Sequence, residues 1–493
     1  MGHKPVLIPL AILQPPFIPP ACLREYLPMT GPWAYVIRLI RLEWILLIST
    51  PLIFIGGIIN LFGGPGLPTV KGRNVLIDTV IAWTSCLIFS ATYGMLDPAP
   101  DTYAPPSAMA RGALRLSVYL FGSPNDQSVY IESEKLVIPP AKDQACLGVL
   151  KNGFGDGTEA GDGHVKRKEV VTSWLWREGG EFGIGKESRK IGMASEDEKV
   201  LVYFVGGGYV AGSPLLGPFA YSILRRAPKN TRVLTVDYRL ATEESGSFPG
   251  ALMDALACYI YLVDHVMFKP ENIVLVGSSA GGGLAWSLIS YLSILQETIS
   301  KDELNLGVPG KVALISPWLD LSLSQPSLEN NIRLDILNYN QMVTASERYL
   351  TNIPTIETGE SFTVNQLSNL LDPAAFASLG KRHPLFSPAP NQDPTSKKDV
   401  TELVSRLLVP LQSAGTTFFI HHGLQEAFDS EIKQFTRSLE SAGIQVSTLI
   451  EPIGWHTCAV LFSWEETSRL GRYLGYGGIE RRFAHAFETY LAN

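Results

Sequence analysis

The residues best suited to chemistry lie in a glycine-rich turn around a serine. The motif GSSAG (residues 277–281) directly follows the apolar run 273–276 and precedes an apolar stretch of helical length, residues 282–295. A G-x-S-x-G turn between a strand and a helix exposes its serine hydroxyl at the carboxyl end of the strand, where it can attack a carbonyl carbon. A glycine-rich turn without chemistry is the alternative. The strand–turn–helix context favours Ser279 as a nucleophile.

Three consecutive glycines follow another apolar run earlier in the chain. Gly206, Gly207 and Gly208 come at the end of residues 200–205. The backbone N–H groups of such a loop can point at the negative charge that develops on a carbonyl oxygen during acyl transfer. A flexible loop without a role is the alternative. Its position at the end of a strand that precedes the serine turn favours an oxyanion loop.

A serine nucleophile needs a base, and hydrolases with this turn carry their histidine last along the chain. Of the eight histidines, His456 fits this order best, because it lies in a short segment after the apolar run 446–450. His421 and His422 end an upstream run and are interpreted as pocket-lining or packing residues. His485 is interpreted as a surface residue of the last helical stretch.

Short β-rich runs alternate with longer helical stretches from Lys199 onward. Amphipathic segments such as 251–263 and 430–442 separate these runs, which are residues 200–205, 232–236, 273–276, 312–315, 416–421 and 446–450. This alternation predicts an α/β fold with a mostly parallel sheet and helices on both faces. Residues 151–198 are rich in glycine and charge and are predicted to be mostly surface loop, with one apolar patch at 170–176.

Four segments make the chain resemble the hormone-sensitive-lipase-like branch of the α/β hydrolases, especially its fungal esterase and steryl acetyl hydrolase group. They are YFVGGGYVAGS (203–213), VDYRLATEESGSFPGALMDAL (236–256), IVLVGSSAGG (273–282) and LISPWLDLS (314–322). The resemblance implies an α/β-hydrolase fold and an oxyanion hole made by the N–H groups of Gly207, Gly208 and Ala280. It also implies a cap built from N-terminal residues and an insertion at about 325–400.

The resemblance also implies the third member of a catalytic triad. The pattern Gly-x-x-Glu after residues 416–421 places Glu426 at the family's acid position. There it would fix the tautomer of His456 and stabilise the imidazolium ion that forms when Ser279 is deprotonated. Asp429 and Glu431 are rivals, and both also suit the first turn of a helix, where carboxylates favour the helix dipole.

Two positions depart from the family pattern. Val205 stands where the family usually has a histidine, and Ser278 stands where it usually has an aspartate. Neither residue is the predicted nucleophile or an N–H donor to the oxyanion. Since both positions normally brace the loops of the site, the departures leave the level of activity open.

The N-terminal part of the chain contains an apolar run of membrane-spanning length. Residues 44–62 carry no charge, and as a helix they would extend ~28 Å, close to the ~30 Å of a bilayer's hydrocarbon core. We therefore predict a membrane anchor or cap in residues 1–107, followed by a hydrolase domain in residues 108–493. The alternative to an anchor is a pair of apolar helices that pack on the hydrolase and shape an acyl pocket.

Composition limits the remaining function classes. The net charge of −7 offers no basic surface for nucleic acid, and the five scattered cysteines include no CxxC pair. Carboxylates and histidines show no metal-ligand spacing. The sequence therefore predicts a carboxylic ester hydrolase without metal or cofactor. Its small-molecule substrate would be a lipophilic short-acyl ester, and its location a membrane, such as the endoplasmic reticulum, or alternatively the cytoplasm. A non-catalytic ligand binder and an acyltransferase are the alternative functions.

Overall fold

An eight-stranded sheet forms the centre of the computed structural model. The structure describes residues 45–92, 134–154, 165–176, 192–215, 219–242, 244–300, 302–353, 364–391, 400–461 and 478–492. The strands are β1 (Glu134–Ile138), β2 (Val170–Leu175), β3 (Lys199–Phe204), β4 (Thr231–Asp237), β5 (Ile273–Ser278), β6 (Lys311–Ile315), β7 (Thr417–Gly423) and β8 (Val446–Glu451). Their order across the sheet is β1-β2-β4-β3-β5-β6-β7-β8.

Strands β3 to β8 run parallel, and β2 alone runs against its two neighbours. In a parallel sheet with both faces covered, each strand has a nearly continuous apolar sequence. The buried strand KVLVYF of β3 is an example. All six runs predicted between residues 200 and 450 are strands here. The mostly parallel sheet and its strand order are those of the α/β-hydrolase fold expected from the sequence.

Helices cover both faces of this sheet, and two apolar clusters fill the space between the layers. The helices are α1 (Thr50–Leu61), α2 (Val75–Thr92), α3 (Val149–Asn152), α4 (Phe219–Arg226), α5 (Gly250–Asp264), α6 (Ala280–Thr298), α7 (Pro326–Asn331), α8 (Tyr339–Tyr349), α9 (Pro373–Leu379), α10 (Val400–Ser413), α11 (Asp429–Ser441), α12 (Cys458–Leu461) and α13 (Ile479–Ala492). Helix α6 is buried from Ala280 to Leu295. It therefore fixes the end of β5 rigidly within the core.

Strand β2 lies in the apolar patch at 170–176, within a segment otherwise expected to be mostly surface loop. Its six residues are all buried, and it lies between β1 and β4. Thr172 and Ser173 interrupt its apolar pattern, and hydrogen bonds across the sheet engage the Thr172 hydroxyl and the Ser173 carbonyl. The Thr172 hydroxyl donates to the Leu136 carbonyl (3.2 Å), and the Thr235 hydroxyl donates to the Ser173 carbonyl (3.1 Å).

The N-terminal apolar run has a different structure from the single spanning helix predicted for residues 44–62. It consists of a π-helical turn, Ile45–Ser49, followed by the twelve-residue helix α1. Within the described residues, no helix has both the length and the apolar character needed to cross a bilayer. The structure thus does not support the anchor: α1 packs against α2, and α2 packs on the hydrolase body. The alternative role of this pair, the shaping of an acyl pocket, stays a prediction.

Helix α2 packs on the hydrolase body. Ile77 and Ile81 lie in the same apolar cluster as Trp455. Just before the helix, the Arg73 guanidinium is buried in an ion pair with Asp78 at 2.5 Å. The cap predicted at about 325–400 and the domain boundary at 107 stay predictions; α7, α8 and α9 lie in that insertion.

Candidate active site

The predicted nucleophile occupies a strained turn at the carboxyl end of β5. Ser279 has φ +54° and ψ −124° and directly precedes α6. Positive φ is costly for a residue with a side chain and persists only where the surrounding structure enforces it. Here a Cβ atom at Gly277 would lie 2.2 Å from the Gly281 carbonyl oxygen, and one at Gly281 would lie 2.1 Å from that of Phe204. Both flanking positions therefore require glycine.

The predicted base meets this serine. His456 lies between β8 and α12, and its Nε2 atom is 2.8 Å from the Ser279 hydroxyl oxygen. Burial lowers the pKa of His456 to about 3, so the imidazole is neutral near pH 7 and Nε2 can accept a proton. The ring of Phe428 packs edge-to-face against the imidazole, with 4.9 Å between ring centroids. The two residues thus have the geometry of a nucleophile and its base.

The oxyanion loop (residues 205–211) lies against the nucleophile. A Cβ atom at Gly206 would lie 2.8 Å from that of Ser279. Gly207 and Gly208 have φ of +134° and +64°, and within the described part of the chain their N–H groups donate to no backbone or side-chain acceptor. Ala280 is the first residue of α6, where an N–H group has no partner inside the helix.

Different groups brace this loop at the two positions that depart from the family pattern. The Ser278 hydroxyl accepts the N–H of Gly206 at 3.2 Å and lies 3.5 Å from the Tyr203 hydroxyl. The Val205 carbonyl accepts a hydrogen bond of 2.6 Å from Tyr238. Ser278 therefore reaches the loop with a hydroxyl where the family usually has a carboxylate, and Val205 contributes through its backbone.

Glu426 is fully buried in the acid loop (residues 424–428), after β7. Its Oε2 atom accepts hydrogen bonds from the Ser316 hydroxyl at 2.7 Å and from the Gly423 N–H at 3.3 Å. Its Oε1 atom and the Nδ1 atom of His456 are both buried, and neither has a hydrogen-bond partner among the described residues. Burial raises the pKa of Glu426 well above its ordinary value, and the negative charge of Asp335 adds to this.

The two rival carboxylates are engaged elsewhere. The Asp429 carboxylate lies 3.3 Å from Nδ1 of His422 and 2.8 Å from Nζ of Lys433. Oε1 of Glu431 accepts the N–H of Leu319 at 2.6 Å. These contacts connect the first turn of α11 to β7 and to the segment after β6. Both carboxylates therefore have structural roles.

The other predicted histidines lie outside this constellation. His421 is buried in β7 against Phe483, and burial lowers its pKa to about 3. His485 lies in α13. Among the described residues, no group of three or more histidine, cysteine or carboxylate side chains could hold a metal ion.

Two polar residues near the site were not singled out from the sequence. The Ser316 hydroxyl accepts the N–H of Thr457 at 3.0 Å while it donates to Glu426. The Asp335 carboxylate accepts the N–H groups of His456 and Ala427. Ser316 lies in a segment that carried the family resemblance and could have been suspected. Asp335 lies in the insertion, where no local pattern indicated a role.

Comparisons with known proteins bear on the fold of this chain and on its relatives. Residues 201–370 match a family model described as an alpha/beta hydrolase fold. An acetyl-hydrolase of Streptomyces hygroscopicus is 31% identical over 200 residues, which are 40% of this chain and 53% of that protein. Steryl acetyl hydrolase 1 of Saccharomyces cerevisiae is 30% identical over 132 residues, 26% of this chain and 28% of that protein. The chain thus spans about half, or less, of the length of these relatives.

Wider coverage comes with lower identity. Neutral cholesterol ester hydrolase 1 of Rattus norvegicus is 24% identical over 298 residues, which are 55% of this chain and 70% of that protein. Among solved structures, an esterase from the bacterial hormone-sensitive lipase family is 20% identical, with a TM-score of 0.46. That alignment covers 85% of this chain and 99% of the esterase.

Proposed function

Because this chain contains an α/β-hydrolase domain related to the hormone-sensitive-lipase-like esterases, we propose that it is a serine carboxylesterase. The observation that carries the proposal is the 2.8 Å contact between Nε2 of His456 and the hydroxyl of Ser279. The strained turn beneath that hydroxyl and the unused N–H groups of the oxyanion loop support it. A non-catalytic ligand binder would have no need for this combination.

In the first half of the reaction, His456 takes the proton of Ser279 as the hydroxyl oxygen attacks the ester carbonyl carbon. Negative charge develops on the carbonyl oxygen, and the N–H groups of Gly207, Gly208 and Ala280 stabilise it. Removing one such donor typically costs 10²–10³ in kcat. The tetrahedral intermediate then collapses to an acyl-enzyme, and His456 returns the proton to the departing alcohol.

In the second half, a water molecule repeats the attack on the acyl-enzyme. His456 deprotonates this water, and the carboxylic acid leaves as Ser279 recovers its proton. An alcohol in place of water would give acyl transfer with the same residues, so adding an acceptor alcohol and measuring the product ratio separates the two reactions.

Glu426 is the acid of this triad in our proposal. Its Oε1 atom and Nδ1 of His456 are both buried without hydrogen-bond partners among the described residues. Burying a polar atom without a partner costs roughly 1–3 kcal/mol. A hydrogen bond between these two atoms would satisfy both and would hold the imidazole in the tautomer that leaves Nε2 free to accept a proton.

The substrate in our proposal is a lipophilic ester with a short acyl chain. Two relatives are named acetyl-hydrolase and steryl acetyl hydrolase, and aromatic rings lie beside the reacting pair. The backbone N–H of Trp318 donates to the Ser279 carbonyl, and its indole ring stacks on Phe428, which contacts His456. We expect kcat/KM to be higher for p-nitrophenyl acetate and butyrate than for the palmitate ester. Absence of turnover with all three would refute the esterase function.

We propose that the protein binds peripherally to a lipid surface. Helix α1 and its flanks expose large apolar side chains on one side, including Phe54 (52% exposed), Ile58 (54%) and Phe62 (88%). Exposed apolar patches of this kind mark interaction surfaces.

We predict that the protein sediments with phosphatidylcholine vesicles and that Phe54→Asp combined with Ile58→Asp weakens this binding at least tenfold. The matched control is Val409→Asp on α10, where the side chain is 56% exposed and no other large apolar residue of that helix is exposed. Equal sedimentation of all three proteins would contradict the lipid-binding role of α1.

A further inference from the structure

We propose that Asp335 is a positioning residue that holds the acid loop and the base loop (residues 452–457) in a fixed position relative to each other. The inference rests on the proposed esterase function. One oxygen of the buried Asp335 carboxylate, Oδ1, accepts the N–H of His456 at 2.8 Å. The other, Oδ2, accepts the N–H of Ala427, the residue after Glu426, at 2.7 Å. A single carboxylate thus joins the loops that carry the base and the acid.

The contacts fix the backbone of the base itself. The N–H of His456 is bound by Asp335, and the next N–H, of Thr457, is bound by the Ser316 hydroxyl at 3.0 Å. Ser316 in turn donates to Glu426. Hydrogen bonds to an ionised carboxylate are shorter and about twice as strong as neutral ones. The Asp335 carboxylate is therefore well suited to restrain the imidazole's position beside Ser279.

Residues in and just before α2 hold Asp335 in place. The Arg73 guanidinium donates to the carbonyl of Leu334 at 3.1 Å and to that of Ile453 at 3.4 Å. On the other side of Asp335, the Ser85 hydroxyl donates to the Leu337 carbonyl at 3.4 Å. Segments on both sides of the carboxylate, and the start of the base loop, are thus attached to the region around α2. This region supports the site without touching the reacting atoms.

The charged and titratable groups that face Asp335 are Arg73 beside α2, Glu426 in the acid loop and His456 in the base loop. Burial raises the pKa of Asp335 to about 6, although its N–H bonds and Arg73 oppose the rise. At pH 7 the carboxylate is therefore charged. As the pH falls through about 6 it is protonated and binds both loops less strongly, so the rate should decline over that range.

The variant Asp335→Asn tests the role, because its amide keeps one oxygen acceptor but presents an NH₂ group to the second N–H. We expect kcat to fall by about 10- to 100-fold, the loss typical of small displacements in an active site. KM for p-nitrophenyl butyrate should change little. The acid limb of the pH profile should move to lower pH, since the Asp335 titration is gone and its charge no longer raises the pKa of Glu426.

Asp320→Asn is the matched control. Asp320 is equally buried, and its carboxylate accepts the N–H groups of Ser322 and Ser324 at 3.0 and 2.8 Å, but these bonds reach neither catalytic loop. We expect this variant to keep the wild-type kcat and acid limb. Melting temperatures of both variants, measured alongside, separate a loss of fold from a loss of rate.

Wild-type kcat and an unmoved acid limb in Asp335→Asn would refute the positioning role while leaving the esterase function intact. A rise in KM alone would also refute it. Absence of turnover in the wild-type protein would instead remove the esterase function and this inference with it. Should Asp335→Asn not fold, Asp335→Ser leaves room for water at the two N–H groups and is judged by the same measurements.

Discussion

Replacing Ser279 with alanine should lower kcat for p-nitrophenyl butyrate by about 10⁶-fold. Loss of the nucleophile in serine hydrolases costs on the order of 10⁶ in kcat, because no other group can form the acyl-enzyme. The alanine lacks the hydroxyl that lies 2.8 Å from His456 and leaves the backbone of the turn unchanged. Initial rates of p-nitrophenol release, measured on the purified protein, check this expectation.

A serine in the helix that follows Ser279 provides the control. Ser293 is buried in α6, and among the described residues its hydroxyl donates only to the Ile289 carbonyl, at 3.1 Å. Ser293→Ala should therefore keep nearly all of the wild-type rate. Substantial hydrolysis by the Ser279→Ala variant would show that another nucleophile, or a contaminant, is responsible for the activity.

Replacing Glu426 with glutamine should lower kcat by about 10³- to 10⁴-fold. Neutralising the acid of a serine triad removes the charge that stabilises the imidazolium and can favour the wrong tautomer of the base. Burial raises the pKa of Glu426, while hydrogen bonds from Ser316 and Gly423 lower it. Since the charged form is the active one, the wild-type rate should fall as the pH drops through this raised pKa. The variant should lack that dependence.

Asp429→Asn separates the two candidate acids. Because the Asp429 carboxylate contacts His422 and Lys433, we expect less than a tenfold change in kcat for this variant. A loss of 10³ or more in Asp429→Asn, together with near wild-type activity in Glu426→Gln, would assign the acid to Asp429. The steady-state kcat of both variants, with their melting temperatures, distinguishes these outcomes.

Much of the sheet could be predicted from the sequence because its parallel strands are buried on both faces. Strands such as β3 and β5 are short apolar runs bounded by glycine or polar residues, so composition alone identifies them. Strand β2 contains Thr172, whose buried hydroxyl donates to a carbonyl of the neighbouring strand β1. Local sequence carries no sign of that partner.

The parts of the site that could be predicted are those that lie in local sequence motifs. Ser279 and His456 belong to local motifs in a fixed chain order, and the structure brings them within hydrogen-bond distance. Asp335 instead acts through residues 92 and 121 positions away along the chain. Only the folded chain reveals such contacts.

The N-terminal run shows the limit of composition. An apolar helix that packs on a protein and one that crosses a bilayer can have the same residue content. Here the segment before α2 is attached to the body by hydrogen bonds from the Arg73 guanidinium to the carbonyls of Leu334 and Ile453. These interactions depend on partner residues in the hydrolase domain, which lie far from the apolar run along the chain.

Covalent labelling by a fluorophosphonate is the most direct measurement of the central claim, that a base-activated serine lies beside an oxyanion hole. The account predicts that the intact protein gains one phosphonyl group. Peptide mapping by mass spectrometry should place it on Ser279, and His456→Ala should slow the labelling by at least 10²-fold. A folded wild-type protein that stays unlabelled, or that carries the group at another serine, would contradict the account.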